Sequence, residues 1–234
     1  MSIARRDFLK VFGGASVAGS LAGYGVNVGA VTVSVPAFGF SDDSVPMNAA
    51  NLCPMPTMVS EAHARYAKEL DLSLSSATRK EVEAQKEVAR SKLATLLGTS
   101  ADELAIVRNT SEANNVIVQG ISLKEGDEVV LWDQNHPSND VAWQVQTARS
   151  GGTVRHFSVP TDTGSIDEVV DLFVAAVSDK TRVVSFTHIS NITGFRTPVA
   201  EICAAIRARK EEVHIHVDGA QTRGAVDIDL GAIE

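Results

Sequence analysis

An α/β fold of three layers, with a mostly parallel sheet between helices, is what this sequence of 234 residues predicts. Two patterns predict it. Short β-rich apolar runs alternate with helical stretches of about ten residues or more, the pattern of a sheet covered on both faces. The positions just after four of the runs are also consistently polar, and in sheets of this kind ligands sit outside the carboxyl ends of the strands. The composition agrees, since 44% apolar and 21% charged residues describe a globular protein and exclude a disordered chain or a multi-span membrane protein.

The first segment, 1–30, reads as an address. Arg5, Arg6, Phe8, Leu9 and Lys10 precede a mild apolar run from Val11 to Ala22 that is rich in Gly, Ala and Ser. It resembles a twin-arginine export signal, with Ala4 in place of the usual serine or threonine. This implies passage through the twin-arginine export machinery and a periplasmic location. Residues 31–47 read as a linker, and the body runs over 48–234.

Within the body, Pro54 and Pro56 open a helix over Thr57–Leu70. A long amphipathic helix follows over Ser75–Leu97, with Val82, Val88, Leu93, Leu96 and Leu97 as its apolar stripe and Gly98 at its end. Strands are expected at Leu104–Arg108, Glu128–Trp132, Thr153–Val159, Arg182–His188 and Val213–Val217. Helices fill the gaps at Ser111–Ser122, Pro137–Ser150, Ser165–Ser178 and Pro198–Glu211. There are no internal repeats.

Charge and cysteine content narrow the function. The net charge is -8, and beyond residue 30 there are 18 basic against 28 acidic residues. Nucleic-acid binding needs a basic face, so it is excluded as a general role. Cys53 and Cys203 lie far apart and form neither a disulfide framework nor a zinc motif.

Four polar turns then carry the chemistry. Thr110 and Ser111 stand where a strand gives way to a helix, and helix N–H groups plus two hydroxyls make a seat for phosphate; the competing role for either is a helix cap. His136 follows the strand ending at Trp132 and could stack on a flat ring, move protons, or merely cap. Asp218 closes the strand His214-Ile215-His216-Val217 and could hold a pyridinium nitrogen protonated, with Gln221 and Asn191 donating to a phenolic oxygen on the same ring. His214, His216 and Asp218 also share one strand face, as in some metal sites, but a metal leaves the other turns unexplained.

Together the turns resemble those of the class V aminotransferase family, which includes cysteine desulfurases and isopenicillin-N-epimerase-like proteins. Asn109-Thr110-Ser111-Glu112-Ala113-Asn114-Asn115 is similar to the family's phosphate-binding turn, with Ser111 where a threonine is usual. Asn135-His136-Pro137-Ser138-Asn139 is similar to the turn whose histidine stacks on the cofactor. Ser190-Asn191-Ile192-Thr193-Gly194 and Val217-Asp218-Gly219-Ala220-Gln221 complete the set. The resemblance implies the large domain of a transferase that uses pyridoxal 5′-phosphate (PLP), an amino-acid substrate and a homodimer. It places Ser111 and its neighbour Thr110 on the phosphate, His136 on the ring face, Asp218 on the ring nitrogen, Ala220 against the ring, and Asn191 and Gln221 at its oxygen.

One departure stands out. In the family a Ser-x-His-Lys segment follows the aspartate by roughly two dozen residues, and its lysine forms the Schiff base with PLP. Here sixteen residues follow Asp218 and none is lysine. The chain is therefore expected to be the N-terminal portion of a longer enzyme, inactive by itself. The alternatives are a weak PLP-binding module without chemistry and, behind it, an exported metal hydrolase.

Overall fold

Two hydrophobic faces of one sheet, each sealed by a pair of helices, organise the larger part of this protein. The computed structural model describes residues 38–233 apart from Asp42, Ser44, Val45, Ala50, Asn51, Thr161 and Asp229. The twin-arginine-like segment lies outside the described residues. The chain divides into two compact units, Met1–Thr78 and Arg79–Glu234.

In the first unit Phe38 bridges to Pro56, and Phe38 stacks on Phe40 with ring centroids 5.7 Å apart. Helix α1, Thr57–Leu72, is capped at its start by Pro56 and buries none of its residues. Helix α2, Ser76–Leu97, starts at the end of this unit and continues into the second. Gly98 ends it with a left-handed φ of 68°, which lets Thr99 N–H reach back to Ala94 O at 3.1 Å. The expected stripe does not become core: Val82, Val88, Leu93 and Leu96 are 41–56% exposed, and only Ala94 is buried. Periodicity specifies a face and leaves open what covers it.

The second unit then forms α3 (Thr110–Gly120), β1 (Glu128–Trp132), α4 (Pro137–Ser150), β2 (Thr153–Phe157), α5 (Ile166–Ala175), β3 (Thr181–Thr187), α6 (Val199–Arg209) and β4 (His214–Asp218). Every strand pair is parallel, in the order β2-β1-β3-β4. The expected strand at Leu104–Arg108 is absent. Leu104 is extended, with φ -111° and ψ 131°, but the run finds no ladder among the described residues, and Ile106 and Val107 stay exposed. β-branched composition favours extension, and only a hydrogen-bonded neighbour makes a strand.

Side-chain alternation divides the core. Val129, Leu131 and Val183 face α3 and α4, where they meet Val118, Ala142 and Trp143. Val130, Trp132, Val184 and Phe186 face α5 and α6, where Phe173, Ile202, Cys203 and Ile206 complete a larger cluster. The observed sheet is thus the predicted one: mostly parallel strands between helical layers. Its amino end is tied by Glu128, which accepts from Arg155 Nε at 2.8 Å, Thr181 Oγ1 at 2.8 Å and Ser178 Oγ at 2.9 Å. The Arg155 guanidinium is the main reason its carboxyl is held down at about 2.

Candidate cofactor site at the carboxyl rim

Parallel strands bring their carboxyl ends to one edge, and three of the four polar turns leave β1, β3 and β4 there. Hydrogen bonds stitch these turns together. Thr193 Oγ1, in the turn after β3, donates to Gln134 Oε1 after β1 at 2.6 Å. His188 N–H, past the end of β3, donates to Asp218 O at 2.9 Å. The fourth turn joins through helix α3, whose Asn114 Nδ2 donates to Asp218 Oδ2 at 3.0 Å. The four turns read from the sequence therefore lie at one rim.

Asp218 is the centre of the group. It ends β4, is only 3% exposed, and its Oδ1 accepts from Ala220 N–H at 3.0 Å. Both of its donors are neutral, and it has no ion pair among the described residues. A buried carboxylate without a counter-charge is costly, so this one is suited to a cationic partner. In the following turn Thr222 is fully buried, and its Oγ1 has no partner among the described residues. Gln221 is half-buried there, and Ala220 is exposed.

Helix α3 supplies a different kind of seat. Asn109, not Thr110 or Ser111, is its cap: the Asn109 side chain accepts from Glu112 N–H at 2.9 Å. The cap thus lies one residue before the expected candidates. This leaves the Thr110 and Ser111 hydroxyls without a hydrogen-bond partner among the described residues, beside first-turn N–H groups that no helical carbonyl can reach. Glu112 would repel an anion at this point, but it is drawn back by Arg108, whose Nη2 donates to Oε1 at 3.0 Å and whose N–H donates to Oε2 at 2.7 Å. The same contacts hold its carboxyl below the usual range. Ser111 faces an open hollow of about 600 Å³.

Of the roles considered for His136, the structure shows the cap. It caps α4, where Nδ1 accepts from Ser138 N–H at 3.1 Å and stands 2.8 Å from Ser138 Oγ. Because Nδ1 is an acceptor, the proton of the neutral ring sits on Nε2, and the exposed imidazole is fixed in orientation. Asn191 is exposed in a turn shaped by Gly194, whose φ is 75° and whose N–H donates to Ser190 O at 2.9 Å. Arg223 is likewise exposed, as a loop residue.

The alternating His-x-His-x-Asp set takes another form. His214 is exposed, whereas His216 is buried with its ring edge-on to Trp143 at 6.0 Å. Ser185 Oγ donates to Asn139 Oδ1 at 3.1 Å, so His216 Nδ1 is the donor to Ser185 Oγ at 3.1 Å. Burial pushes His216 down to about 4 against the upward pull of Asp218, and the ring is neutral near neutral pH. The described residues hold no group of three His, Cys, Asp or Glu side chains placed to share a metal ion. A cavity of about 650 Å³ opens instead on the side of α5 and α6, lined by Ser165, Val169, His188 and Arg196 among others, and none of the proposed site residues reaches it.

Sequence reading gave no role to Asn114, Asn139 or Ser185, and weighed His216 only as part of a metal set. The clue for Asn114 was a polar residue on the inward stripe of a helix, four positions before the buried Val118. The other three alternate with apolar core residues in the same way.

The aminotransferase class-V family model matches residues 50–234. The isopenicillin N epimerase of Amycolatopsis lactamdurans is 35% identical over 148 residues, covering 62% of this chain and 37% of its own length. A probable cysteine desulfurase of Methanothermobacter thermautotrophicus is 33% identical over 209 residues, covering 82% of this chain and 47% of its own length. This chain therefore spans less than half the length of these two curated relatives. Among solved structures, a mutant of the cystine C–S lyase C-DES with glycine covalently linked to its PLP cofactor superposes with a TM-score of 0.75 at 25% identity, over 86% of this chain and 51% of that one. With the family model matching from residue 50 onward, across all four turns, the chain belongs to the aminotransferase class-V family.

Proposed function

We propose that this chain carries the cofactor-binding part of a PLP-dependent enzyme that acts on a small amino acid, with aminotransferase, epimerase, desulfurase or lyase chemistry as the outcome. The observation that carries the reading is the buried, cation-free Asp218 carboxylate, set at one rim with a helix start whose hydroxyls are uncommitted. PLP satisfies both, because it offers a protonated ring nitrogen at one end and a phosphate at the other. When bound, the cofactor supplies an electron-withdrawing ring that stabilises negative charge at an amino acid's α-carbon. The chain's residues bind and orient it. Thr110, Ser111 and the first N–H groups of α3 take the phosphate. Asp218 keeps the proton on the ring nitrogen, His136 covers one ring face and excludes water, and Asn191, Gln221 and Ala220 complete the border. The relatives named as an epimerase, a desulfurase and a lyase support an amino-acid substrate.

Titration of the chain with PLP and with phosphate-free pyridoxal tests this. Saturable PLP binding is expected, with pyridoxal at least about tenfold weaker and a Thr110→Val, Ser111→Ala double variant losing a similar factor, because each lost bond to a charged group is worth about 1.5–3 kcal/mol. Equal affinity for both ligands removes the reading. A second reading is a module that holds PLP without chemistry. Borohydride treatment separates the two. Cofactor fixed to a single lysine of the native protein supports the enzyme, and cofactor that washes out supports the module.

Export and pairing belong to the same proposal. Export through the twin-arginine machinery to the periplasm rests on Arg5, Arg6 and the apolar run after them. Among the described residues no helix is long and apolar enough to cross a membrane. Pairing as a homodimer is supported by the exposed apolar stripe of α2. Fractionation of the producing cell, followed by sizing of the recovered protein, is expected to find a periplasmic dimer. A cytoplasmic location or a monomer removes the corresponding part.

A further inference from the structure

Asn114 is a polar residue in a position suited to an apolar one. It shares the inward stripe of α3 with Val118 and is only 2% exposed. Its side chain does not serve its own helix: Nδ2 crosses to β4 and donates to Asp218 Oδ2 at 3.0 Å, joining residues 104 positions apart. On the other carboxylate oxygen, Ala220 N–H donates at 3.0 Å. Each oxygen is thus gripped by one neutral donor, and the two donors come from different elements.

The geometry points to Asn114 as a positioning residue, one that holds the Asp218 carboxylate in place for a cationic ring nitrogen and ties it to the phosphate seat on the same helix. This rests on the cofactor reading above. Thr110 and Ser111 lie four and three residues before Asn114, which is roughly 4.5–6 Å along the helix axis. One rigid element therefore carries both the phosphate contact and the grip on the carboxylate, and sets the spacing between them. The chemistry of the donor matters as much as its place. A lysine or arginine here would neutralise Asp218 and leave little for a ligand cation. A leucine would fill the space and leave Oδ2 bare. The amide removes the rotational freedom of the carboxylate without cancelling its charge.

The test uses the 234-residue chain and pyridoxamine 5′-phosphate, whose amine cannot form a Schiff base with lysine, so that only non-covalent contacts are read. Asn114→Leu is expected to weaken probe binding about tenfold. In an Asp218→Ala background the same substitution is expected to change nothing, because a positioning effect acts through the carboxylate and a packing effect does not. Asn114→Asp, close in shape, sets a second carboxylate against Asp218 and raises the pH at which the bound ring nitrogen loses its proton, read from near-ultraviolet absorption. This variant carries the test alone if the leucine variant does not fold. A leucine effect that persists without Asp218, or an unmoved midpoint in Asn114→Asp, overturns the positioning role. If wild type and Asp218→Ala bind the probe equally or not at all, it is the cofactor reading that falls, so the two failures are distinguishable.

Discussion

Replacing Asp218 by asparagine is expected to weaken PLP binding about 100-fold, roughly 2.7 kcal/mol, while moving the stability of the cofactor-free chain by no more than about 1 kcal/mol. The two effects separate for a physical reason. In the bound state the carboxylate faces a cationic ring nitrogen in a buried setting, and truncating one member of such a pair costs about 2–5 kcal/mol. In the free chain the carboxylate has only Asn114 Nδ2 and Ala220 N–H as donors. An asparagine retains an acceptor for Asn114 but turns its own amide toward one of the two donors. The lost bond costs about 1 kcal/mol, and removing a buried charge with no counter-ion offsets it. Calorimetric titration alongside thermal melting checks both halves. Affinity within about threefold of wild type would show that Asp218 is not the ring-nitrogen partner.

Phe173→Ala is expected to destabilise the chain by about 3–5 kcal/mol, a large share of the 5–15 kcal/mol that holds a typical domain folded. Phe173 is fully buried on α5. It meets Phe157 and Phe186 edge-on, each at 4.8 Å between centroids, and Trp132 at 6.5 Å. It therefore bridges β2, β1 and β3 from one side of the sheet, and alanine leaves a void lined by three aromatic rings. Phe173→Leu, which keeps most of the volume, is expected to cost about 1–2 kcal/mol. Urea denaturation reads both through the midpoint, at unchanged slope. Asp218 reaches Asn114 from the opposite face of the sheet, so cofactor affinity of the folded fraction is expected to stay within about twofold. A cost for alanine below about 1 kcal/mol would mean that α5 does not seal the sheet.

Much of this protein was legible in local sequence. The run Glu128–Trp132 and the helix Pro137–Ser150 appear in the structure with the residues expected, because a continuous apolar run, an N-terminal proline and the glycine at 151 are all short-range signals. The four polar turns were legible for a related reason. A parallel sheet delivers every strand's carboxyl end to one edge, so topology alone gathers the residues that follow the strands.

What the sequence by itself determined, then, is which segments can be helix or strand and which side chains stand at the ends of the strands. Only the tertiary structure decided the pairings. Leu104–Arg108 has the composition of a strand and lacks a neighbour to bond, while the stripe of α2 has the period of a buried face and stays exposed. Asn114 gains its partner only when α3 sets it against Asp218, and His216, which shares a strand face with His214, is buried and bonded to Ser185. Each of these outcomes depends on contacts between residues far apart in the chain. Local periodicity records the shape of one segment, and the free energy of such contacts resides in two.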